Sequence, residues 1–350
     1  MPLAALSQDA LRIATFAAPL SRDGPGLLLR DILDGDDPQV RATQRIVDAA
    51  VPDILLLTDF DHDRGLAALR AFNARLERPF AHVFALAGNA GLATGLDMDG
   101  NGRLGEPRDA QGYGRFRGDG GLALLTRQPV LEGQVRDFTK LPWPDLPGAV
   151  LPETADGPFP SAEAQAAGRL SSTSHWVVPL RLGDGKTLTL LAYSATPPVF
   201  DGPEDRNGLR NRDELRLWVR LLAGDLGPVP EPPLVLLGNT NLDPADGDGF
   251  RRAMARMLDH PLLQDPKPAS AGGAANPSPG HSGDPALDTA DWDEAGPGNL
   301  RVSYVLPSRD LTVTGAGVFW PAPGSPQADL LGADGRAAGP HRIVWVDVRR

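Results

Sequence analysis

Continuous apolar runs alternate along this chain with stretches whose apolar residues recur every three or four positions, and turn residues separate the two. "LRIATFAAPL" reads as a first strand over 12–16. "DDPQVRATQRIVDAAVPDILLLTDFD" reads as a helix with Val40, Ile46, Val47 and Ala50 on one face, stopped by Pro52, then a strand from Ile54 to Leu57. Four consecutive apolar residues suit a strand covered on both faces. "DRGLAALRAFNARLE" follows as a helix buried through Leu66, Leu69, Phe72 and Leu76. "GDGGLALLTRQPV" and "SSTSHWVVPLRLGDGKTLTLLAYSATPP" supply further strands, with a turn at Gly183-Asp184-Gly185. A helix in "RNRDELRLWVRLLAGDL" sets Leu215, Trp218, Leu221 and Leu222 on one side. The run Leu234–Leu237 is another strand, "FRRAMARMLDHPLL" another helix, and "LRVSYVLPS", "LTVTGAGVFW" and "HRIVWVDVRR" the last strands. Mixed strands and helices throughout predict an α+β chain, a four-layer α/β/β/α sandwich of two packed mixed sheets flanked by helices. One domain is expected over 11–350, with 1–10 as an N-terminal extension. The Pro-, Ala-, Gly- and Ser-rich stretch 265–299 reads as a long surface loop or a partly disordered segment.

Composition narrows the function. Of 350 residues, 41% are hydrophobic, enough for a substantial core, while 40 Gly and 35 Pro predict many loops. The net charge of −11 opposes nonspecific binding to phosphate backbones, so a nucleic-acid partner is not expected. With no cysteine there are no disulfides, thiolate metal ligands or cysteine nucleophile. No apolar stretch reaches the roughly 18 residues of a membrane span. The opening "MPLAALSQDALRIATF" lacks the basic-then-apolar order of a signal peptide, so the chain reads as cytoplasmic as written, or periplasmic or secreted if a leader was replaced by Met1.

Two loops carry candidate chemistry. In "PPLVLLGNTNLDPADGDGF" a buried strand ends at Gly238 and opens into Asn239, Asn241, Asp243, Asp246 and Asp248, the way a strand delivers polar groups to a catalytic rim. An ordinary Asn/Asp turn is the competing reading. In "GLDMDGNGRLGEPRDAQGYG", Asp97, Asp99 and Asn101 before Gly102 match the first half of an EF-hand-like loop, with Arg108 where the bidentate Glu would stand. The pattern permits a Ca²⁺ ion as a loop staple. His62, His82, His175, His260 and His281 show no ligand spacing.

"RIATF", "PDILLLTDFD", "TPPVFDGPEDRNGLRNRDELRLW", "LLGNTNLDPADGDG", "RVSYVLPS" and "HRIVWVDV" together resemble the endonuclease/exonuclease/phosphatase superfamily, the deoxyribonuclease-like fold, in a bacterial branch. The resemblance runs from about Leu11 to Val348. It implies two packed sheets and divalent-metal-dependent cleavage of phosphoesters. It further implies an Asn and a Glu holding Mg²⁺, a His on the scissile phosphate, an Asp positioning water with an Asn beside it, and a late Asp-His pair in which Asp orients His.

Placed on that pattern, this chain departs at most positions. Ala17 stands for the first Asn, Asp59 for the Glu, Ser194 for the phosphate-binding His and Asn239 for the water-positioning Asp. In the "Arg-x-Asp-Tyr" strand the Asp is Ser303, between retained Arg301 and Tyr304. In the last motif Pro340 replaces Asp, and His341 is kept, as is Asn241. "GYGRFRGDGG" keeps Tyr113 and Arg115 but lacks the Gln-Tyr-Gly expected near Asp119-Gly120. The intact block Asp201, Glu204, Asp205, Arg206 and Asn207 is expected to tie a loop by Asp–Arg pairing.

Losing one electrostatic or acid–base group commonly costs on the order of 10²–10⁴ in rate. The sequence therefore reads as a family member that has lost phosphoesterase activity, with Asn239, Asn241, His341, Ser194 and Ser303 as vestigial site positions and Asp59 as a vestigial metal position. It is expected to need no cofactor and to bind a partner protein or serve as a structural module. A passive subunit would show an exposed apolar patch around Trp143, Phe159 or the "VFW" strand. The alternative is an active phosphodiesterase or phosphatase using Mg²⁺ or Mn²⁺ at a rebuilt site drawn from Asp59, Asn241, Asp243, Asp246, Asp248 and His341.

Overall fold

A computed structural model describes residues 10–349, so the expected extension 1–10 lies almost wholly outside the described residues. In chain order the strands are β1 Leu11–Phe16, β2 Ile54–Phe60, β3 His82–Phe84, β4 Gly121–Thr126, β5 Arg136–Asp137, β6 Glu153–Thr154, β7 Gly157–Pro158, β8 Ser174–Arg181, β9 Thr187–Ser194, β10 Leu234–Asn239, β11 Ala290–Asp291, β12 Asn299–Leu300, β13 Ser303–Pro307, β14 Thr312–Val318 and β15 Val344–Arg349. The helices are α1 Leu27–Asp34, α2 Pro38–Ala50, α3 Ala67–Ala74, α4 Ala162–Ala167, α5 Arg206–Leu222, α6 Arg251–Leu258 and α7 Ala271–Ala274.

Two mixed sheets form the centre, ordered β14-β15-β1-β2-β4-β3 and β13-β10-β9-β8-β5. Each holds one parallel pair, β1 with β2 and β10 with β9, and antiparallel neighbours otherwise. The sheets pack face to face, β1 and β2 against β10, β13 and β9. Ile13, Leu56, Leu124, Leu190, Leu237 and Val305 meet in that interior. The second sheet's outer face is covered by α5 and α6, through Leu217, Trp218, Leu221, Met254 and Met257. Helices α1, α2 and α3 cover the first sheet with Leu28, Ile32, Ile46 and Phe72.

The sandwich expected from the sequence is present, with local differences. Helix α1 has no counterpart in the sequence reading. Helix α3 starts later than its apolar spacing suggests because the Asp63 carboxylate takes the amides of Gly65, Ala67 and Ala68, fixing the first turn. The segment 265–299 is irregular for most of its length, as the surface-loop reading has it, but it carries short elements. It folds through α7, a 3₁₀ turn at Pro285–Leu287 and β11 into the β11–β12 hairpin, with Thr289 and Ala290 fully buried. Arg301 grips Asp265 through two bonds of 2.6 and 2.9 Å, and Arg342 holds Asp291 at 2.7 Å, anchoring the segment at both ends. Trp143 and Trp320 are themselves buried. Among the described residues no helix is long and apolar enough to cross a membrane.

Candidate functional site

Parallel strands aim their C-terminal ends the same way, so β1, β2, β9 and β10 release Ala17, Asp59, Ser194 and Asn239 at one rim. These four, with Asn241 and His341, line one cleft of about 470 Å³ between the two sheets. Register fixes part of this, since Asn239 lies opposite Ser194 on one side and Ser303 on the other. Gly238 makes the pairing possible. Its φ is +145°, and a Cβ there would lie 1.8 Å from the Tyr193 carbonyl oxygen.

The polar residues on α5 hold the rim in place. Buried Glu214 accepts from the Ser172 amide and hydroxyl and from the Thr196 amide. Asn211 donates to the carbonyls of Thr196 and Thr240, and Arg210 to those of Leu170, Gln111, Arg169 and Ser171. Three chain-distant loops are thus pinned by one helix face. Burial pushes the Glu214 carboxyl up to about 7, against the pull of Arg210.

At the ends of β1 and β2, Ala17 is buried and presents a methyl group. Burial pushes the Asp59 carboxyl up to about 6, a Ser21 hydrogen bond opposes this, and Asp119 adds to it. Gly120, at φ +56°, lies so close that a Cβ would sit 2.7 Å from Asp59 Oδ1. One carboxylate and one methyl do not make the Mg²⁺ donor set that the resemblance implies. Asp243 and Asp246 also line the cleft, but backbone amides of Ala245, Asp246 and Arg301, and of Ser282 and Gly283, occupy their oxygens.

On β10, the Asn239 amide is directed at Asn241. Its Nδ2 donates to Asn241 Oδ1 at 3.1 Å, and its Oδ1 accepts the Asn241 amide at 3.3 Å. Asn241 stands at φ +49° and donates to the Ala195 carbonyl. An aspartate at 239 would have no N–H for this arrangement. Ser303 is set behind Asn239 rather than in the cleft, and its Oγ is buried without a partner.

His341 faces Trp292 edge-on, ring centres 5.1 Å apart, and pairs with Ala290 of β11. Its Nδ1 is buried and unbonded. Burial, with Arg342 adding, pushes its pKa down to about 4. Pro340, where the resemblance implies an orienting Asp, offers only a carbonyl, which accepts from Asp291 N. Trp292, Pro297, Leu300 and Val302 form an apolar wall that the sequence reading did not attach to the site. Nothing in its composition marked it, because the wall depends on the β11 pairing with His341. Asp61 was also passed over. It is buried beneath the cleft, accepts from the amides of Arg22 and Gly120, and is pushed up to about 7 by burial.

The other candidate loop lies outside this cleft. Carboxylate oxygens of Asp97, Asp99 and Asp109 lie within 4.8 Å of one another, the one such grouping of three acidic or His side chains among the described residues. The Asp97 carboxylate already takes the amides of Asp99, Gly100, Asn101 and Gly102. Asn101 is turned to Asp99, Glu106 and the Arg103 amide. The expected Asp–Arg tie in 201–207 does not form. Asp201 instead takes the Asn207 amide, Glu204 the Gly202 amide, and Asn207 Nδ2 bonds the Val199 carbonyl.

Two packed mixed sheets flanked by helices, with this rim between them, define the class of fold, and comparison with solved structures shows the same fold. Over 98% of this chain and 72% of theirs, it matches an endonuclease/exonuclease/phosphatase from Beutenbergia cavernae at 16% identity with a TM-score of 0.54. It matches one from Bacteroides vulgatus over 98% of this chain and 99% of that one, at 13% identity with a TM-score of 0.53. A mannosyl-6-phosphatase from Bacteroides thetaiotaomicron is matched over 97% of this chain and all of its own, at 14% identity with a TM-score of 0.53. No curated protein sequence matches the chain. The model of the Endonuclease/Exonuclease/phosphatase family matches residues 29–334, and the chain belongs to that family.

Proposed function

We propose that this chain is a family member without metal-dependent phosphoesterase activity, which binds a partner protein through the former catalytic cleft. The observation that carries this reading is the buried, unbonded Nδ1 of His341 beside Pro340. A general acid–base His needs a partner to fix its tautomer and a pKa near the working pH. A methyl at Ala17 and a locked amide at Asn239 point the same way. The cleft wall of Trp292, Pro297, Leu300 and Val302 suits an apolar segment of a partner better than a phosphodiester. We propose no resident cofactor.

The test is turnover of bis(p-nitrophenyl) phosphate and p-nitrophenyl phosphate with Mg²⁺ or Mn²⁺, comparing the native chain with Asn241→Ala and His341→Ala. Turnover at the background rate in all three is expected. Metal-dependent turnover that both substitutions abolish would overturn the reading. The competing reading, a hydrolase with a rebuilt site using Mg²⁺ or Mn²⁺, is favoured by one observation, the elevated Asp59 carboxyl lining the cleft. It requires metal-dependent turnover that Asp59→Asn removes.

A further inference from the structure

Beside the cleft lies a second cavity of about 690 Å³, over the first turn of α5. Arg108, Arg206 and Arg210 all line it. Arg210 is engaged with backbone carbonyls, as described above. Arg206 and Arg108 are not: among the described residues neither guanidinium makes a hydrogen bond or an ion pair. Arg206 is half-buried and Arg108 exposed, and partial burial lowers the Arg206 pKa against the fields of Asp99, Asp201, Glu204 and Asp109. A guanidinium without a hydrogen-bond partner keeps its fork of N–H donors free for an acceptor to fill. The acidic residues on the same wall do not, since Asp99, Asp201 and Glu204 bond nearby chain amides instead.

The rim is aromatic. Tyr113 and Phe200 line both this cavity and the old cleft, and they are 62% and 74% exposed. Phe200 holds its position at φ +71°, which a non-glycine residue adopts only at a cost. Phe159 closes the opposite wall. Exposed rings beside an unbonded guanidinium are the pattern of a site that stacks a flat group and pairs its charge.

We propose that this cavity is a binding site for a small anionic ligand, a phosphate monoester or a free carboxylate carrying a flat ring. Its anionic oxygens pair with Arg206 and Arg108, and its ring lies against Phe200 and Tyr113. The site shares Tyr113 and Phe200 with the cleft but uses none of Ala17, Asp59, Ser194, Asn239, Asn241 and His341.

The probe is phenyl phosphate, titrated calorimetrically into the full chain beside inorganic phosphate and benzyl alcohol, at low salt and again at 0.5 M NaCl. Phenyl phosphate is expected to bind more tightly than either fragment, and more weakly at high salt. Arg206→Gln should weaken it at least tenfold and Phe200→Ala severalfold, while Asn241→Ala in the cleft should leave it unchanged. Arg206→Lys, which keeps the charge but not the fork, should fall between. Circular dichroism and thermal melts of each variant check that it remains folded. No binding at 10 mM, binding untouched by Arg206→Gln and Phe200→Ala, or binding lost with Asn241→Ala would each overturn the proposal.

Discussion

Replacing His341 with glutamine separates a working histidine from a buried one. In the folded chain its pKa is pushed from 6.5 down to about 4. At ~1.36 kcal/mol per pH unit, full protonation would cost ~3.4 kcal/mol of stability. The sign follows from which state holds more protons. Between pH 6.5 and 4 the unfolded chain binds a proton at this ring and the folded chain does not, so stability falls as pH falls. At pH 4.5, two units below the unfolded value, the loss amounts to ~2.7 kcal/mol. Urea unfolding of the native chain and His341→Gln at pH 7.5, 6.0, 5.0 and 4.5 gives the comparison. Asp59, Asp61 and Glu214, pushed up to about 6, 7 and 7, contribute the opposite slope over the same range. They are present in both proteins and cancel in the difference. The native chain should lose ~2–3 kcal/mol relative to the variant between pH 7.5 and 4.5. A difference that does not change with pH would mean that His341 titrates near 6.5 in the folded chain, as a solvated acid–base group does, and the reasoning would fail.

Ser303→Ala removes a buried hydroxyl without a partner and should leave stability unchanged or raise it by ~1 kcal/mol in urea unfolding. A loss above 1 kcal/mol would show that the hydroxyl has a partner. Arg12→Met leaves the Asp347 carboxylate buried and unpaired and should cost ~3–5 kcal/mol, visible as a large fall in urea midpoint. Asp97→Ala deprives four backbone amides of their acceptor and should lower the melting temperature equally in chelator and in millimolar calcium. A fall confined to the calcium sample would instead identify Asp97 as an ion ligand.

The fold was legible where local pattern determines it. The unbroken run Ile54–Leu57 read as a strand covered on both faces, and the Leu215–Leu222 stripe as one side of a helix, and both are present. Helix α1 escaped because "DGPGLLLRDILDGDD" is eight helical residues between glycines, too short for its period to stand out. The short elements inside 265–299 were not legible because its composition is that of a linker, while its order comes from partners 36 and 51 residues away, Asp265 with Arg301 and Asp291 with Arg342. The site divides the same way. Which residues occupy the rim could be read from the motifs. That Asn239 grips Asn241, or that Trp292 stands against His341, depends on geometry that only long-range pairing creates.

The position of β15 bears on how the chain is made. Strand β1 is flanked by β2 on one side and by β15 on the other, and Arg12 reaches across 335 residues to Asp347. At about 5–20 residues per second, a ribosome takes on the order of 17–67 s to deliver that partner after β1 emerges. Throughout that interval β1 presents an unpaired edge, and the arginine waits without its carboxylate. The sandwich is therefore closed only once β15 is made, and a nascent chain stalled before it would leave its first sheet split in two.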